Sequence, residues 1–397
     1  MANATRPIPG SPASVPAFFA GWLTAELAPH LLALTALDSA VAVARHGRRA
    51  ELRGLAAATV AAGGYARLMG GGQRARAEVE NSLRDALGDE YAQRLARTPE
   101  AADLVTPWRS LVNPFRMADV DVVATRKLPY HPGGKRFELD VFHHRDKPTG
   151  APVVLQIHGG GWVIGEKEQQ GVPLMMRMAA RNWVGVSMNY PLSPRVKWPE
   201  HLVAVKRAIA WIREHAHEYG ADPSFIAVTG GSAGGHLAAM AALTADDKSL
   251  QPGFEEVDTA VQACVPHYGV YDFTDEDGTR ASKLRLDRLV RRYVMAADAR
   301  YPDDYRAASP LFRVTADAPP FFVLHGSNDT LVPVADARAF VAKLRDVSKN
   351  PVAYAEIRGA QHAFDIFPSI RSAHVVRGVE RFLEWTKATA RAELAAG

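Results

Sequence analysis

Apolar residues in the second part of the chain come in short β-branched runs, separated by longer stretches with helical periodicity. From about Asp119 onward this alternation is typical of a mostly parallel sheet covered by helices. The pattern predicts eight strands, at 120–125, 137–143, 153–158, 184–189, 225–229, 261–267, 321–325 and 352–357. It predicts helices at 199–219, 233–244, 335–347 and 369–392. We therefore expect an α/β fold with one eight-stranded sheet.

The first part of the chain has a different pattern, dominated by Ala and Leu. Segments 17–45 and 54–66 are apolar, but Glu26 and Asp38 interrupt the first, and the second is too short to span a bilayer. These segments predict a helical hairpin. Its turn is cationic, with Arg45, His46, Arg48 and Arg49. We divide the chain into a helical extension or cap, 1–110, and an α/β catalytic domain, 111–397.

The glycines at 70–72 interrupt this helical pattern, and a charged surface helix is expected at 75–96. Two interpretations of the hairpin remain open. It can pack on the main domain or on a second copy of the chain, which would give a homo-oligomer. It can instead lie on an anionic membrane surface through residues 17–70, with Trp22 and Phe18 or Phe19 inserted and the arginines near the headgroups.

Composition narrows the class of protein. The 397 residues carry 47 Lys plus Arg and 43 Asp plus Glu, a net charge of only +4 with mixed signs, so no nucleic-acid partner is expected. The single cysteine, Cys264, excludes an internal disulfide. Residues 1–16 do not resemble a secretory signal, and we expect a cytoplasmic location, with peripheral membrane contact as the alternative.

A nucleophile motif follows the predicted strand at 225–229. Gly230, Gly231, Ser232, Ala233 and Gly234 form a G-x-S-x-G sequence that leads directly into a helical pattern. Small residues on both sides of the serine allow a sharp strand-to-helix turn that exposes its hydroxyl. A phosphate-binding loop is the alternative, but the P-loop lysine is absent and the dinucleotide spacing does not fit. Ser232 is our candidate nucleophile.

A glycine loop follows the strand at 153–158. His158 and Trp162 enclose three consecutive glycines, Gly159, Gly160 and Gly161. Amides without side chains can approach a substrate carbonyl and stabilise its oxyanion, with the Ala233 amide as a further donor. We expect His158 to organise the root of this loop.

A serine nucleophile needs a base and an acid that orients the base, and in folds of this kind both follow the serine. Only His362 and His374 lie beyond the last predicted strands. His362 is in a loop and is our candidate base, whereas His374 falls in a helical pattern and is expected on its surface. Asp329, after the strand at 321–325, is our candidate acid. Asp336 and Asp272 are weaker alternatives, and Asp336 fits the first turn of the next helix.

Metal chemistry has no support in the sequence. The 14 histidines are scattered, and neither the pair His143 and His144 nor the pair His215 and His217 has the spacing of a ligand set. We expect no metal and no cofactor.

Taken together, HGGGW, GGSAGG, the late Asp and the late His resemble the hormone-sensitive-lipase-type family of α/β-hydrolase esterases. Within it, the long N-terminal extension and GGSAGGHL are most similar to actinobacterial, mycobacterial-type lipase-esterases. The resemblance covers about Asp119 to the C-terminus, and the segment NYPLSP at 189–194 is similar to the family's Y-R-L-A-P-E. It implies an α/β-hydrolase fold and a cap over the site, built from the N-terminal region and the charged insert at 272–306.

The chain departs from the family pattern at two points. Gly231 stands where the family usually has an acidic residue, and the segment NDTLVP at 328–333 replaces the usual D-P-L-x-D. The second departure is closer to serine peptidases.

The resulting hypothesis is a serine carboxylester hydrolase that acts on small to medium acyl esters, a small-molecule or lipid-like substrate, through Ser232, His362 and Asp329. Trp162, Tyr190 and Phe364 are candidates for lining an apolar acyl pocket, although ordinary core packing explains them equally well. An amidase or peptidase would use the same triad. A non-catalytic receptor is disfavoured by His362, and a membrane-surface scaffold is a further alternative.

Overall fold

The computed structural model describes residues 2–7, 13–46, 52–97, 99–276 and 283–396. Two members of the expected cationic turn, Arg48 and Arg49, lie outside the described residues, as do 277–282 of the charged insert. The helices are α1 (Ala2–Thr5), α2 (Ser14–Glu26), α3 (Ala28–His46), α4 (Leu52–Leu87), α5 (Ala101–Leu104), α6 (Trp108–Leu111), α7 (Val172–Ala179), α8 (Glu200–His215), α9 (Ala233–Leu243), α10 (Lys283–Leu289), α11 (Asp303–Ala307), α12 (Val334–Val347) and α13 (Ile370–Ala396).

One eight-stranded sheet forms the centre of the molecule. Its strands are β1 (Val122–Pro129), β2 (Glu138–His144), β3 (Ala151–Ile157), β4 (Val184–Met188), β5 (Ala221–Gly231), β6 (Ala263–His267), β7 (Phe321–Gly326) and β8 (Val352–Ile357). Their spatial order is β1-β2-β4-β3-β5-β6-β7-β8, and β2 is antiparallel to both of its neighbours. The other pairs are parallel. The prediction of a mostly parallel eight-stranded α/β-hydrolase sheet is confirmed.

Helices cover both faces of the sheet, and the strands are apolar for that reason. In β3 every residue is buried: Val153, Leu155 and Ile157 face one core, and Val154 faces the other. The first core is closed by α8, α9 and α12, the second by α4, α7 and α13. Because α4 of the helical extension contributes Val79 to the second core, the extension and the α/β region share that core. The boundary at residue 110 stays a prediction.

The prediction that glycines 70–72 interrupt the helix was wrong, since α4 runs without a break from Leu52 to Leu87. The glycines are a packing feature. A Cβ at Gly72 would lie 3.1 Å from Ile370, and one at Gly71 would lie 3.3 Å from Arg371. Small residues let α4 approach the start of α13 closely, and this gain in packing offsets the low helix propensity of glycine.

The expected first apolar helix is two helices, α2 and α3, which meet at an angle of 75°. Glu26 ends α2 and is almost fully buried. Its carboxylate accepts hydrogen bonds from the Arg371 guanidinium and the Ser369 hydroxyl, each at 2.7 Å. This buried pair anchors the bend to the start of α13. No single described helix is long and apolar enough to cross a membrane, and α2 and α3 meet that requirement only as a bent pair.

His374 is buried on α13, so the prediction of a surface position was wrong. The reason is that α4 and the segment after it cover this side of α13. The His374 Nε2 lies 3.4 Å from both the Gln73 side-chain oxygen and the Thr106 hydroxyl. Burial, helped by the charge of Arg377, lowers the pKa of His374 to about 4.

Two glycine substitutions test the packing of α4 on α13. A Cβ at Gly378 would lie 2.2 Å from the Val79 side chain, so Gly378→Ala should lower the free energy of unfolding by about 1–3 kcal/mol. Gly70 has no atom within 4 Å of its Cβ position, and Gly70→Ala should raise it by up to about 1 kcal/mol. Urea denaturation measures both values. The same sign for the two variants would contradict this account.

Candidate active site

Three candidate catalytic residues lie at one edge of the sheet. Ser232 follows β5, Asp329 lies in the loop after β7, and His362 lies in the loop after β8. These strands are parallel, so their carboxyl ends meet at the same edge, where ligands bind in open α/β sheets. The fold thus brings together residues that are 130 positions apart in the sequence.

Ser232 occupies a strained turn between β5 and α9. Its backbone has φ 58° and ψ −120°, a region that L-residues rarely adopt. The turn is pressed against β3: a Cβ at Gly234 would lie 2.1 Å from the Ile157 carbonyl oxygen, and one at Gly230 would lie 2.6 Å from it. Both positions therefore require glycine. The Ser232 amide donates to the His267 carbonyl at 2.9 Å, which ties the turn to β6.

Gly231 departs from the family pattern for a steric reason. The Tyr268 ring lies directly against this position, and a Cβ there would be 2.7 Å from the ring. An acidic side chain before the serine would collide with Tyr268.

Asp329 and His362 form a short, buried pair. The His362 Nδ1 lies 2.6 Å from the Asp329 Oδ2, and the Asp329 side chain is fully buried. The amides of Leu331 and Val332 donate to the Asp329 Oδ1 at 2.8 and 2.9 Å. Burial alone would raise the pKa of the Asp329 carboxyl, but the charge of His362 and the hydrogen bonds from His325 and His362 hold it well below its usual range. Asp329 is therefore a carboxylate that orients the imidazole.

His325 is a second neighbour of this carboxylate and was not given a role from the sequence. Its Nε2 lies 3.3 Å from the Asp329 Oδ2 and 3.0 Å from the Val332 carbonyl oxygen. The spacing of four residues between His325 and Asp329 was the available signal. A carboxylate with His325 on one side and His362 on the other is fixed in place.

The glycine loop contributes fewer free amides than expected. The Gly159 amide donates to the Gln170 side-chain oxygen at 2.7 Å, so it is removed from the candidate oxyanion donors. Gly160 and Gly161 have φ values of 115° and 59°, and no acceptor lies in reach of their amides in the described part of the chain. Ala233 opens α9, where an amide has no acceptor within the helix. Three donors thus remain.

His158 orders the root of this loop. Its Nδ1 lies 2.7 Å from the Gly159 carbonyl oxygen, and its ring stacks on Tyr190 at 4.3 Å. The Tyr190 hydroxyl donates to the His158 carbonyl at 3.0 Å. Burial lowers the pKa of His158 to about 4, against the Gly159 hydrogen bond, so the ring is neutral. Tyr190 supports the loop from below and does not reach the cavity.

A cavity of about 620 Å³ opens above Ser232 and His362. Among the described residues that line it there is no Asp, Glu, Lys or Arg. Trp162 belongs to the wall, whereas Phe364 is buried in the core against Tyr268 and lines no part of it. The remaining wall residues are mostly apolar: Val163, Ile164, Val270, Leu286, Leu289, Leu331, Val332, Ala363 and Ile366. Leu286 and Leu289 come from the charged insert.

Helix α2, in the N-terminal region from which the resemblance implies a cap, closes one side of the cavity. It contributes Ser14, Val15, Phe18, Phe19 and Trp22. The Phe18 ring meets the His362 ring edge-on at 6.0 Å and stacks on Trp22 at 5.5 Å. The membrane alternative would insert Trp22 and Phe18 or Phe19; the Phe18 and Trp22 rings face the cavity, whereas Phe19 is 51% exposed.

No group of three or more His, Cys, Asp or Glu side chains within the described ranges is arranged to hold a metal ion.

Comparison with known sequences identifies related proteins. The BD-FAE family model matches residues 139–344, slightly more than half of the chain. A probable carboxylic ester hydrolase of Mycobacterium tuberculosis, LipM, is 46% identical over 339 residues, which is 83% of this chain and 77% of LipM. Esterase LipQ of the same organism is 50% identical over 65% of this chain and 62% of its own length. The family match includes Ser232 and Asp329 and ends before His362.

Comparison with solved structures gives the same fold. A truncated carbohydrate esterase from gut microbiota has a TM-score of 0.58 at 21% identity, covering 68% of this chain and 99% of that one. The butyrate-bound esterase Est2 of Thermogutta terrifontis has a TM-score of 0.53 at 26% identity, covering 66% and 91%. The first similarity concerns the fold alone.

The depressed pKa of Asp329 predicts a pH-dependent stability. An unfolded chain binds this proton with a pKa near 3.8, so the stabilisation by the carboxylate is complete well above that value and decreases as pH falls through it. Asp329→Asn should lower the free energy of unfolding by about 1.5–3 kcal/mol at pH 7. The loss should be smaller at pH 3, below the pKa of the unfolded group. Urea denaturation at pH 7, 5 and 3 measures it.

The exposed carboxylate of Asp317 provides the control, since Asp317→Asn should change stability little at any of these pH values. A loss for Asp329→Asn that is the same at all three pH values would show that its ionised form is not favoured in the folded state.

Proposed function

Because the chain belongs to the BD-FAE family of hormone-sensitive-lipase-type esterases, and is a carboxylic ester hydrolase, we propose that it cleaves esters with Ser232, His362 and Asp329 through an acyl-enzyme intermediate. One observation carries the proposal. His362, which Asp329 contacts at 2.6 Å, and Ser232, in its strained turn, line the same cavity. This is the arrangement that a serine nucleophile needs.

The first half of the proposed reaction forms the acyl-enzyme. The Ser232 Oγ attacks the acyl carbon of the ester while the His362 Nε2 takes the hydroxyl proton. Asp329 holds the Nδ1 proton and stabilises the imidazolium. The amides of Gly160, Gly161 and Ala233 donate to the oxygen that becomes negative. Collapse of the tetrahedral intermediate breaks the ester C–O bond, and the imidazolium gives its proton to the departing alcohol.

The second half releases the acid. A water molecule attacks the acyl carbon, His362 again removes a proton, and the same three amides bind the oxyanion. The bond to Ser232 then breaks, and the proton returns from His362 to the serine oxygen.

The lining of the cavity favours uncharged, apolar substrates. None of the described side chains that line it is charged, and Phe18, Phe19 and Trp22 offer aromatic surface. We assign the substrates to neutral esters with small to medium acyl chains. An amide would use the same residues, and a comparison of rates decides between the two.

Replacement of the nucleophile or base should abolish activity. Initial rates on p-nitrophenyl esters from acetyl to palmitoyl are measured for wild type, Ser232→Ala and His362→Ala, with an aryl amide alongside. Each variant should lose on the order of 10⁴- to 10⁶-fold in kcat, since the triad acts as a unit. The exposed residues Ser249 and His217 provide matched controls, and Ser249→Ala and His217→Ala should retain full activity.

Ester hydrolysis by Ser232→Ala within a few-fold of wild type would refute the mechanism. Serine-dependent cleavage of the aryl amide at rates above those of the esters would move the assignment to an amidase.

A second proposal concerns the arm formed by α3 and the first turns of α4. Leu34 and Leu37 on α3 are 61% and 62% exposed, and Leu52 and Val60 on α4 are 81% and 73% exposed. A cluster of exposed apolar side chains of this kind is typical of a surface that binds a protein or a membrane. Arg45 and Arg53 flank them, and Phe19, also half-exposed, connects this surface with the cavity. We propose that the arm binds an anionic lipid surface.

Vesicle flotation tests the lipid proposal. The protein should float with phosphatidylglycerol vesicles more than with phosphatidylcholine vesicles, and Leu34→Glu with Leu37→Glu should reduce flotation at least several-fold. Val120, just before β1, is 74% exposed, so Val120→Glu is the control and should float like wild type. Unchanged flotation of the double variant would contradict the proposal. A dimer in light scattering that the double variant abolishes would assign the arm to self-association.

A further inference from the structure

A second carboxylate lies close to the candidate base. Asp365 is three residues after His362, in the same loop, and its side chain is only 13% exposed. Its Oδ1 accepts a hydrogen bond from the Tyr268 hydroxyl at 2.5 Å, and its Oδ2 lies 2.5 Å from the His267 Nδ1. Both oxygens therefore contact the end of β6. None of these three residues is needed as acid, base or nucleophile in the proposed reaction.

The two partners of Asp365 also contact the catalytic residues. The His267 carbonyl accepts the hydrogen bond of the Ser232 amide at 2.9 Å. The Tyr268 ring lies 4.7 Å from the His362 ring and presses against Gly231, the residue before Ser232. Tyr268 thus fills the space between the serine turn and the imidazole. Any shift of the β6 end relative to the histidine loop would change the distance between Ser232 and His362.

The charges in this cluster suit a fixed clamp. Burial alone would raise the pKa of Asp365, but the neighbouring His267 and the Tyr268 hydrogen bond lower it, so the carboxylate is ionised. Burial, and then the charge of Asp365, raise the pKa of Tyr268 well above its usual value, so its hydroxyl keeps the proton that it donates. A hydrogen bond to a buried carboxylate is stronger than one between neutral groups.

We propose that Asp365 is a positioning residue: it clamps the loop that carries His362 to the end of β6, through Tyr268 and His267, and so holds the imidazole in line with Ser232. The inference rests on the proposed function, because it assigns a role relative to the Ser232–His362 pair. Its basis is the geometry of one side chain that joins the two segments on which the nucleophile and the base depend.

The expected effect is on turnover. Misplacement of a catalytic group by about 1 Å can cost on the order of 100-fold in rate. Asp365→Asn and Tyr268→Phe should each lower kcat on a p-nitrophenyl ester by roughly 10- to 100-fold. KM should stay within a few-fold of wild type, because Asp365 does not line the cavity and Tyr268→Phe keeps the ring that does. The variant that combines Asp365→Asn with Tyr268→Phe should lose no more kcat than the worse of the two single variants, since both remove the same hydrogen bond.

Asp140 supplies a matched control. Its side chain is 1% exposed, against 13% for Asp365, it is paired with Arg126 and Lys167 at 3.0 Å, and it lines no part of the cavity. Asp140→Asn should lower stability in urea denaturation while kcat stays within a few-fold of wild type. A loss of kcat in Asp140→Asn as large as in Asp365→Asn would mean that any buried carboxylate has this effect, and would overturn the proposal.

The remaining outcomes also decide the question. Unchanged kcat in both Asp365→Asn and Tyr268→Phe, while Ser232→Ala is inactive, overturns the clamp and leaves the proposed function intact. Activity in Ser232→Ala would instead refute the function itself. If Asp365→Asn does not fold, Tyr268→Phe decides alone, because it removes one hydroxyl and keeps the ring: unchanged kcat then overturns the proposal. Multiplied losses in the double variant would also overturn it.

Discussion

The turn between β5 and α9 can form only where the backbone lies almost in contact with β3. The carbonyl oxygen of Ile157 occupies the space of a Cβ at both Gly230 and Gly234, and between them Ser232 is forced to a positive φ. This constraint places the hydroxyl above the sheet and the first amides of α9 beside it. It also brings the end of β6 close, where Tyr268 packs against Gly231. The neighbouring strands are arranged around this contact.

Charge in this site is sustained by hydrogen bonds and not by solvent. Asp329 is buried, and His362 and His325 keep the pKa of its carboxyl low, while the Leu331 and Val332 amides donate to Oδ1. An ionised carboxylate in a dry environment attracts the imidazole more strongly than it would in water. The same principle describes Asp365, whose oxygens are taken by Tyr268 and His267. The loop after β8 is thus held at two points: Asp329 contacts its His362, and its own Asp365 contacts the end of β6.

Local patterns predicted the part of the molecule that depends on short segments. All eight strands and the Ser232 turn follow from runs of a few residues, and the order of motifs pointed to Asp329 and His362. Contacts between distant segments could not be read in this way. Gly72 has low helix propensity, yet the helix continues through it. Ile370 lies 3.1 Å from its Cβ position, and this close packing offsets the low propensity. His374 has a helical setting but is covered by α4. No sequence pattern predicted the hydrogen bond from the Gly159 amide to the Gln170 side chain.

Part of the cavity wall comes from a different region of the chain than the candidate catalytic residues. Ser232 and Asp329 lie within the residues that the family model matches, just after strands β5 and β7 of the sheet. Phe18, Phe19 and Trp22 lie outside that match, on a helix that reaches the site because Glu26 is held by Arg371 and Ser369. A change in α2 can therefore alter the shape of the cavity without moving Ser232, Asp329 or His362. The bend at Glu26 also sends α3 away from the cavity with its leucines exposed. The same buried carboxylate thus directs both the wall of the cavity and the apolar arm beside it.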